Sequence, residues 1–231
     1  MIQDFALGST ILVDKPLNWT SFDVVNKLRW HLKTKLDVKK IKVGHAGTLD
    51  PLATGLLVIC IGKHTKTIEG LIQDKKTYTG KFLLGKTTPS FDLETEFNGE
   101  YETNHINSEL LENARVSFLG DQQQTPPIFS AKQVNGVRAY ELARKGEHVE
   151  LKSNDIKIDE FEISVNNLPE VKFKVACSKG TYIRSLAFDF GKKLDSGATL
   201  IELRRVNSGS YSIDNAKSID EWIEFIQDSP L

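Results

Sequence analysis

The alternation of apolar and polar positions changes period several times along the chain. Residues 10–13 form a short strand-like run that Asp14-Lys15-Pro16 ends. Thr20 or Ser21 is placed to cap a helix that carries Phe22, Val25, Leu28 and Leu32 at helical spacing. Residues 41–43 predict another short strand, which enters a glycine-rich loop over 44–55 containing Pro51. Residues 56–61 are almost wholly apolar, the pattern of a central strand buried on both faces. A strand is predicted over 78–84, an acidic and polar excursion over 87–105, and a helix over 108–119. Thr125-Pro126-Pro127 breaks the chain, and Asn135-Gly136 marks a turn ahead of a helical stretch to Lys145. Alternating strands follow over 156–165 and 171–177, then a helix over 181–194, a strand over 199–206 and a last helix over 216–227.

Strands and helices mix without a regular strand-helix-strand rhythm, which predicts an α+β fold with a mixed, mostly antiparallel sheet. No linker rich in Ser, Gly or Pro divides the 231 residues, so the chain reads as one catalytic domain, 1–231, with an inserted lobe around 121–152. Lys+Arg (30) and Asp+Glu (31) nearly cancel, so net charge does not point to nucleic acid, but the charges are segregated. Lys33, Lys35, Lys39, Lys40 and Lys42 form a basic stretch, and Lys63, Lys66, Lys75, Lys76, Lys81 and Lys86 continue it. Acids gather at Asp92–Glu102 and near the C-terminus. Taken alone these are solvated faces. Segregated in this way they also fit a surface that holds phosphates on one side. The apolar run before Gly62 is strand-sized and far short of a membrane span, and no secretion signal is visible, which together predict a cytoplasmic protein without a membrane partner. Cys60 and Cys177 sit in apolar stretches without metal-ligand spacing, and no histidine cluster occurs, so neither a metal nor a disulfide is expected.

Gly80-Lys81-Phe82-Leu83-Leu84-Gly85-Lys86-Thr87 has the spacing of a nucleotide phosphate loop. Its interior, Phe82-Leu83-Leu84, prefers a strand, and Thr88-Pro89-Ser90 opens no amphipathic helix, so an NTPase is disfavoured. The loop Gly44-His45-Ala46-Gly47-Thr48-Leu49-Asp50-Pro51-Leu52-Ala53-Thr54-Gly55 is more informative. Pro51 fixes its own φ and biases Asp50 towards extended geometry, so the carboxylate is held stiffly. An isolated Asp-Pro would read as a turn organiser. A stiff loop that also carries His and Thr, set before a buried strand, reads as a site. In Cys177-Ser178-Lys179-Gly180-Thr181-Tyr182-Ile183-Arg184 a strand turns into a helix with a cation in its first turn. The helix dipole disfavours a cation there, so Arg184 either has a partner anion or reaches solvent. Lys76-Thr77-Tyr78 opens a strand, where a Tyr by itself is ordinarily a core residue.

Together these stretches resemble the TruB family of tRNA pseudouridine synthases, from Val13-Asp14-Lys15-Pro16 to Leu203-Arg204-Arg205. Loop 44–55 is similar to the family's catalytic loop, Lys76-Thr77-Tyr78 to its Lys-x-Tyr element, and Lys179-Gly180-Thr181-Tyr182-Ile183-Arg184 to its arginine motif. Thr125-Pro126-Pro127-Ile128-Phe129-Ser130-Ala131 resembles the segment leading into its RNA-clamping insertion. The resemblance implies the pseudouridine synthase fold, with a largely antiparallel mixed sheet, flanking helices and a central RNA-binding cleft. It implies conversion of uridine 55 in the T-loop of tRNA to pseudouridine, with base flipping, with no metal or organic cofactor, and with the T-stem-loop of tRNA as the partner of a monomeric enzyme. Longer relatives carry a C-terminal PUA domain; the 26 residues after Arg205 lead to the expectation that it is lacking here.

The roles implied follow residue by residue. Asp50 is the catalytic carboxylate. Arg184 resembles the arginine that pairs with it, keeping it ionised where shielding from water alone would favour the neutral acid. Tyr78 stacks on the target uracil, and His45 occupies the space the flipped base leaves. Tyr182 and Leu203 line the uracil pocket, and Lys15 supports the loop. Lys132, Arg138, Arg144 and Lys145 are expected to close over the T-loop. Three alternatives stand beside this reading: a tRNA-folding helper whose chemistry is incidental, a pseudouridine synthase acting on other RNAs, and the disfavoured NTPase.

Overall fold

A computed structural model of the chain describes residues 5, 7–130, 132–134, 136–144 and 151–230. In chain order the elements are β1 (Gly8–Lys15), α1 (Ser21–Leu36), β2 (Val43–His45), β3 (Ala53–Gly62), a 3-10 turn (Lys63–Thr67), α2 (Ile68–Ile72) and β4 (Lys76–Leu84). They continue with β5 (Lys86–Thr87), β6 (Gly99–Glu100), α3 (Ser108–Ser117), β7 (Gly120–Gln124), β8 (Gln133–Val134), β9 (Val137–Arg138) and α4 (Ala139–Arg144). The remainder is β10 (Asn154–Asn167), β11 (Glu170–Cys177), α5 (Ile183–Lys193), β12 (Ala198–Ser208), β13 (Tyr211–Ser212), a second 3-10 turn (Ile213–Asn215) and α6 (Ile219–Asp228). The chain divides into two compact units, residues 1–78 with 203–231, and residues 79–202.

The first unit is built on β3. Antiparallel β1 runs along it from Gly8↔Gly62 to Lys15↔Gly55. Antiparallel β2 joins its far end at Val43↔Ile61 and His45↔Ile59. The C-terminal part of β12 pairs with its start in parallel, Leu203↔Ala53 to Arg205↔Gly55. As the apolar run predicts, β3 is buried on both faces. Leu57, Ile59 and Ile61 pack with Leu28 and Leu32 of α1 and Ile226 of α6, while Leu56 and Val58 pack with Leu71 and Tyr211. The cap of α1 is Thr20. Its hydroxyl accepts from Asp23 N–H at 3.0 Å, and Asp23 accepts Thr20 N–H at 2.9 Å in return. This reciprocal pair satisfies two backbone donors that the first helical turn leaves open.

In the second unit β10 pairs antiparallel with β11 on one side and with β7 on the other. Its core is aromatic: Phe82 stacks on Phe173 with ring centroids 4.2 Å apart and is tilted against Phe161 and Phe190. The structure corrects several sequence expectations. The strand expected over 41–43 lies instead at Val43–His45, because its partner β3 ends at Gly62 and the register Val43↔Ile61 leaves residue 41 beyond that end. The last helix begins at Ile219, where Ser218 supplies the cap, and not at 216. The region 87–105 contains the β5–β6 pairing, Lys86↔Glu100 and Thr87↔Gly99. The short α2 and β7 were not anticipated. The phosphate-loop spacing at 80–87 falls on β4 and β5, with no helix behind it. Gly136, at φ +82°, turns the β8–β9 hairpin. Lys145 and the side chain of Arg138 lie outside the described residues. Among the described residues no helix is long and apolar enough to cross a membrane, no group of acids, His and Cys is arranged to hold a metal, and both cysteines are buried and free.

Candidate active site around loop 44–55

Within the first unit, loop 44–55 is fixed from four directions. Ser21, the first residue of α1, takes both sides of Leu49: its hydroxyl accepts Leu49 N–H at 2.8 Å and donates to Leu49 O at 3.1 Å. On the other side of Asp50, Pro51 O accepts from Asn18 N–H at 2.8 Å and from Lys15 Nζ at 3.4 Å. Ala53 N–H closes a turn onto Asp50 O at 3.1 Å. Arg205, on β12, donates through Nη2 to Gly47 O at 3.0 Å and through Nε to Leu56 O at 2.7 Å. Leu49 is buried while Asp50 is half-exposed. The backbone on both sides of the carboxylate is therefore immobilised, and the side chain is presented at the surface of its unit.

Lys15 ends the inward-facing series Ile11, Val13, Lys15 of β1 and is fully buried. Its ammonium is satisfied by carbonyls, Pro16 O at 2.9 Å and Trp19 O at 2.5 Å besides Pro51 O. Burial pushes its pKa down to about 8; the Asp50 carboxylate opposes that shift, and the Arg205 charge adds to it. His45 ends β2, half-buried, with an Nδ1 that makes no hydrogen bond among the described residues. Burial, and secondarily the Arg205 charge, hold its pKa below the ordinary imidazole range. It is therefore a neutral ring at neutral pH.

Leu203 is brought to the end of the loop by the parallel register Leu203↔Ala53. The next residue, Arg204, points to the opposite face and forms a two-pronged pair with Asp14, 3.0 and 2.6 Å. Gly55 makes that register possible. It has φ +100°, and a Cβ there would lie 2.3 Å from Arg205 O, a clash with rigid backbone. The Lys76-Thr77-Tyr78 element starts β4. Lys76 is buried, with its ammonium donating to Ile72 O at 2.7 Å and Asp74 O at 2.6 Å at the end of α2. This fixes the strand start that carries Tyr78, itself buried. Lys15, His45, Asp50, Tyr78 and Leu203 thus all belong to the first unit.

Tyr182 and Arg184 belong to the second unit. Tyr182 caps α5, and its backbone is gripped at both polar groups by the Gln124 amide, at 2.8 and 3.0 Å. Within its own unit Arg184 has an acidic neighbour that sequence reading did not assign to it. Its Nε lies 3.6 Å from Asp92 Oδ2, both side chains being buried. Its Nη1 donates to Phe129 O at 2.9 Å and Ser90 O at 3.3 Å. Arg184 therefore ties the turn at 88–92 to the segment 125–130 that leads into the insertion. Further on, Lys132 Nζ bonds Asn154 Oδ1, and Arg144 pairs with Glu94 at 2.9 Å.

Sequence reasoning missed Gln124, saw Ser21 only as a candidate helix cap and Asp92 only as one of a run of acids, and saw in Arg205 only the end of a motif. The one local signal was the pair Arg204-Arg205 on a strand: alternation sends one guanidinium outwards and the other into the core.

The family model described as TruB family pseudouridylate synthase (N terminal domain) matches residues 31–183. The chain is 54% identical over 224 residues to the tRNA pseudouridine synthase B of Parabacteroides distasonis, covering 97% of this chain and 95% of that one. It is 53% identical over 226 residues to the same-named protein of Flavobacterium johnsoniae, covering 97% and 99%. Among solved structures, a chain of a Cbf5-Nop10-Gar1 complex superposes with a TM-score of 0.72 at 26% identity, over 97% of this chain and 56% of the other. With a glycine-rich loop built around a rigidly presented aspartate and a family match over most of its length, the chain belongs to the TruB family of pseudouridylate synthases.

Proposed function

We propose that the protein converts uridine 55 in the T-loop of tRNA to pseudouridine, with Asp50 as the catalyst. The observation that carries the reading is the immobilised backbone on both sides of Asp50, by Ser21 at Leu49 and by Asn18 and Lys15 at Pro51. A catalytic group fixed in this way loses little freedom on reaching the transition state. The name shared by its relatives supports tRNA as the substrate.

The reaction breaks the N1–C1′ bond, rotates the uracil, joins C5 to C1′ and moves the C5 proton to solvent, while N1 gains one. No water enters the product, which sets it apart from glycoside hydrolysis with its two carboxylates. Asp50 either bonds to C1′ as the uracil leaves or removes the 2′ proton to give a glycal; both routes need an ionised carboxylate beside the sugar. Arg184 has the role of keeping that carboxylate charged and aimed. Tyr78 stacks on the uracil, and its hydroxyl has the part of helping remove the C5 proton at the end. The target base leaves its stack at a cost of a few kcal/mol, and the neutral, half-buried His45 ring suits the space left behind. Tyr182 and Leu203 line the uracil, and the insertion around 121–152 closes over the T-loop.

The test is to map pseudouridine in unmodified tRNA with the wild-type protein and with Asp50→Asn. We expect modification at position 55 with the first and none with the second, while binding of tRNA persists. Modification by the Asn variant refutes the catalytic assignment, and modification elsewhere refutes the site.

A further inference from the structure

In the second unit, α5 begins without a side-chain cap. Tyr182 stands at the N-cap position, extended at φ −96° and ψ 111°, and its side chain bonds no backbone group of the first turn. Ser, Thr, Asp or Asn is the usual occupant, because a short side-chain oxygen reaches the open N–H groups there. The tyrosine hydroxyl, at the far end of a ring, does not. A local rule broken without a local gain marks a position selected for something else.

Gln124 makes good the loss from outside the helix. It is the last residue of β7, in register with Asn154 of β10, and it is buried. Its Oε1 accepts Tyr182 N–H at 2.8 Å, and its Nε2 donates to Tyr182 O at 3.0 Å. A primary amide thus pairs with both backbone groups of one residue, as a neighbouring strand does, and only one orientation of the amide satisfies both. With its N–H and C=O fixed, the direction in which Tyr182 sends its half-exposed side chain is fixed as well. Burying a glutamine gives up much of its rotamer freedom, and a serine at 182 would cap the helix without that loss. The sequence instead keeps tyrosine at this position and recruits an amide from 58 residues away.

Beyond Gln124 the strand ladder cannot continue, because Pro126 and Pro127 carry no N–H. The segment is docked on α5 by side chains: Ser185 Oγ donates to Thr125 O at 2.7 Å, and Arg184 Nη1 to Phe129 O at 2.9 Å. Charged side chains on the adjoining segments are engaged elsewhere, Asp155 with the Gln123 amide, Lys132 with Asn154 and Arg184 with Asp92.

We propose that Gln124 is a positioning residue for the reaction: through the backbone of Tyr182 it sets the wall that Tyr182 gives the uracil, without itself touching RNA. The inference rests on the proposed function and on the place of Tyr182 in it.

The test uses Q124E, which keeps the shape of the side chain and the acceptor for Tyr182 N–H but, when ionised, has no donor for Tyr182 O. When protonated it regains that donor. Burial beside a carbonyl oxygen raises a carboxyl's pKa, so single-turnover pseudouridine formation at saturating tRNA is read at about pH 6 and about pH 8. The Kd for tRNA and the melting temperature are read alongside. At the higher pH, Q124E is expected to be about tenfold or more slower than wild type, the scale that a small misplacement produces, with Kd within about twofold. At the lower pH its rate relative to wild type recovers about threefold or more, as the protonated acid donates again. Q124M, which offers neither group, is slow at both. A folded Q124E that matches wild type at the higher pH overturns the proposal. So does a ratio that stays flat with pH, or a loss confined to Kd, which would assign Gln124 to RNA binding. A Tyr182→Ala protein with the wild-type rate overturns it too, since Gln124 would then have nothing to position. If Q124E melts early, Q124N serves in its place: it keeps both polar groups but draws the amide back, so its saturating rate is expected to fall at unchanged Kd, and a wild-type rate overturns the proposal. A wild-type protein that forms no pseudouridine sinks the underlying activity instead.

Discussion

The guanidinium of Arg205 holds the carbonyl of Gly47 at 3.0 Å across 158 residues of sequence, and the same side chain holds Leu56 O at 2.7 Å. Both ends of the candidate catalytic loop therefore hang on one fully buried arginine. Arg205→Met leaves both carbonyls without that donor, at about 1–3 kcal/mol for each group so abandoned. Denaturant unfolding should show a loss of about 3 kcal/mol or more, and single-turnover pseudouridine formation should fall at least tenfold. A variant with wild-type stability and rate would show that the loop holds its shape without this residue.

Ser21 exerts a smaller version of the same control. Ser21→Ala removes both bonds to Leu49, beside Asp50. The buried backbone groups lose their partner at about 1–3 kcal/mol. The turnover rate at saturating RNA should drop while Kd for RNA stays within twofold. A change in Kd alone would assign Ser21 to binding and not to positioning.

Lys15 predicts a pH dependence. Its pKa in the folded protein is about 8, below the ordinary 10.5. Between those values the unfolded chain binds more protons than the folded one, so stability attributable to Lys15 rises with pH across roughly 8 to 10.5. It is lowest below 8, where the buried ammonium must stay charged. The slope is at most one proton, about 1.4 kcal/mol per pH unit. Lys15→Met should flatten the wild-type curve of unfolding free energy against pH in this window, and parallel curves would refute the shift.

Gly55→Ala tests the parallel register of β12 on β3. The added methyl carbon would sit 2.3 Å from Arg205 O at a φ of +100°. Backbone on both sides blocks relief, so the loss should reach about 4 kcal/mol or more, at the far end of single-substitution effects. Thermal melting reads this directly; a shift of only a degree or two would mean that the two strands separate at little cost.

In the second unit, Asp92→Ala removes a buried ion-pair partner from Arg184. Such losses run to about 3–5 kcal/mol. Limited proteolysis should then cut first near 125–130, the segment that Arg184 also holds through Phe129 O. Wild-type resistance there would separate the ion pair from the order of that segment.

Local chemistry made much of this protein legible from its residues alone. The all-apolar run of β3, the alternation of β10 and β11, the hydroxyl cap before α1 and the glycine-rich loop around Asp50 each depend on neighbours within a few positions. The periodicity of one segment is enough to read them. Short elements with weak patterns, α2 and β7, escaped for the same reason, as did the displaced β2, whose position is set by its partner strand. What only the tertiary structure decided are the long-range holds: Arg205 on Gly47, Ser21 on Leu49 and Asp92 on Arg184. A guanidinium or hydroxyl has no sequence mark that names its acceptor. Its partner is chosen when folding brings distant backbone into range, and burial then raises the cost of leaving either group alone.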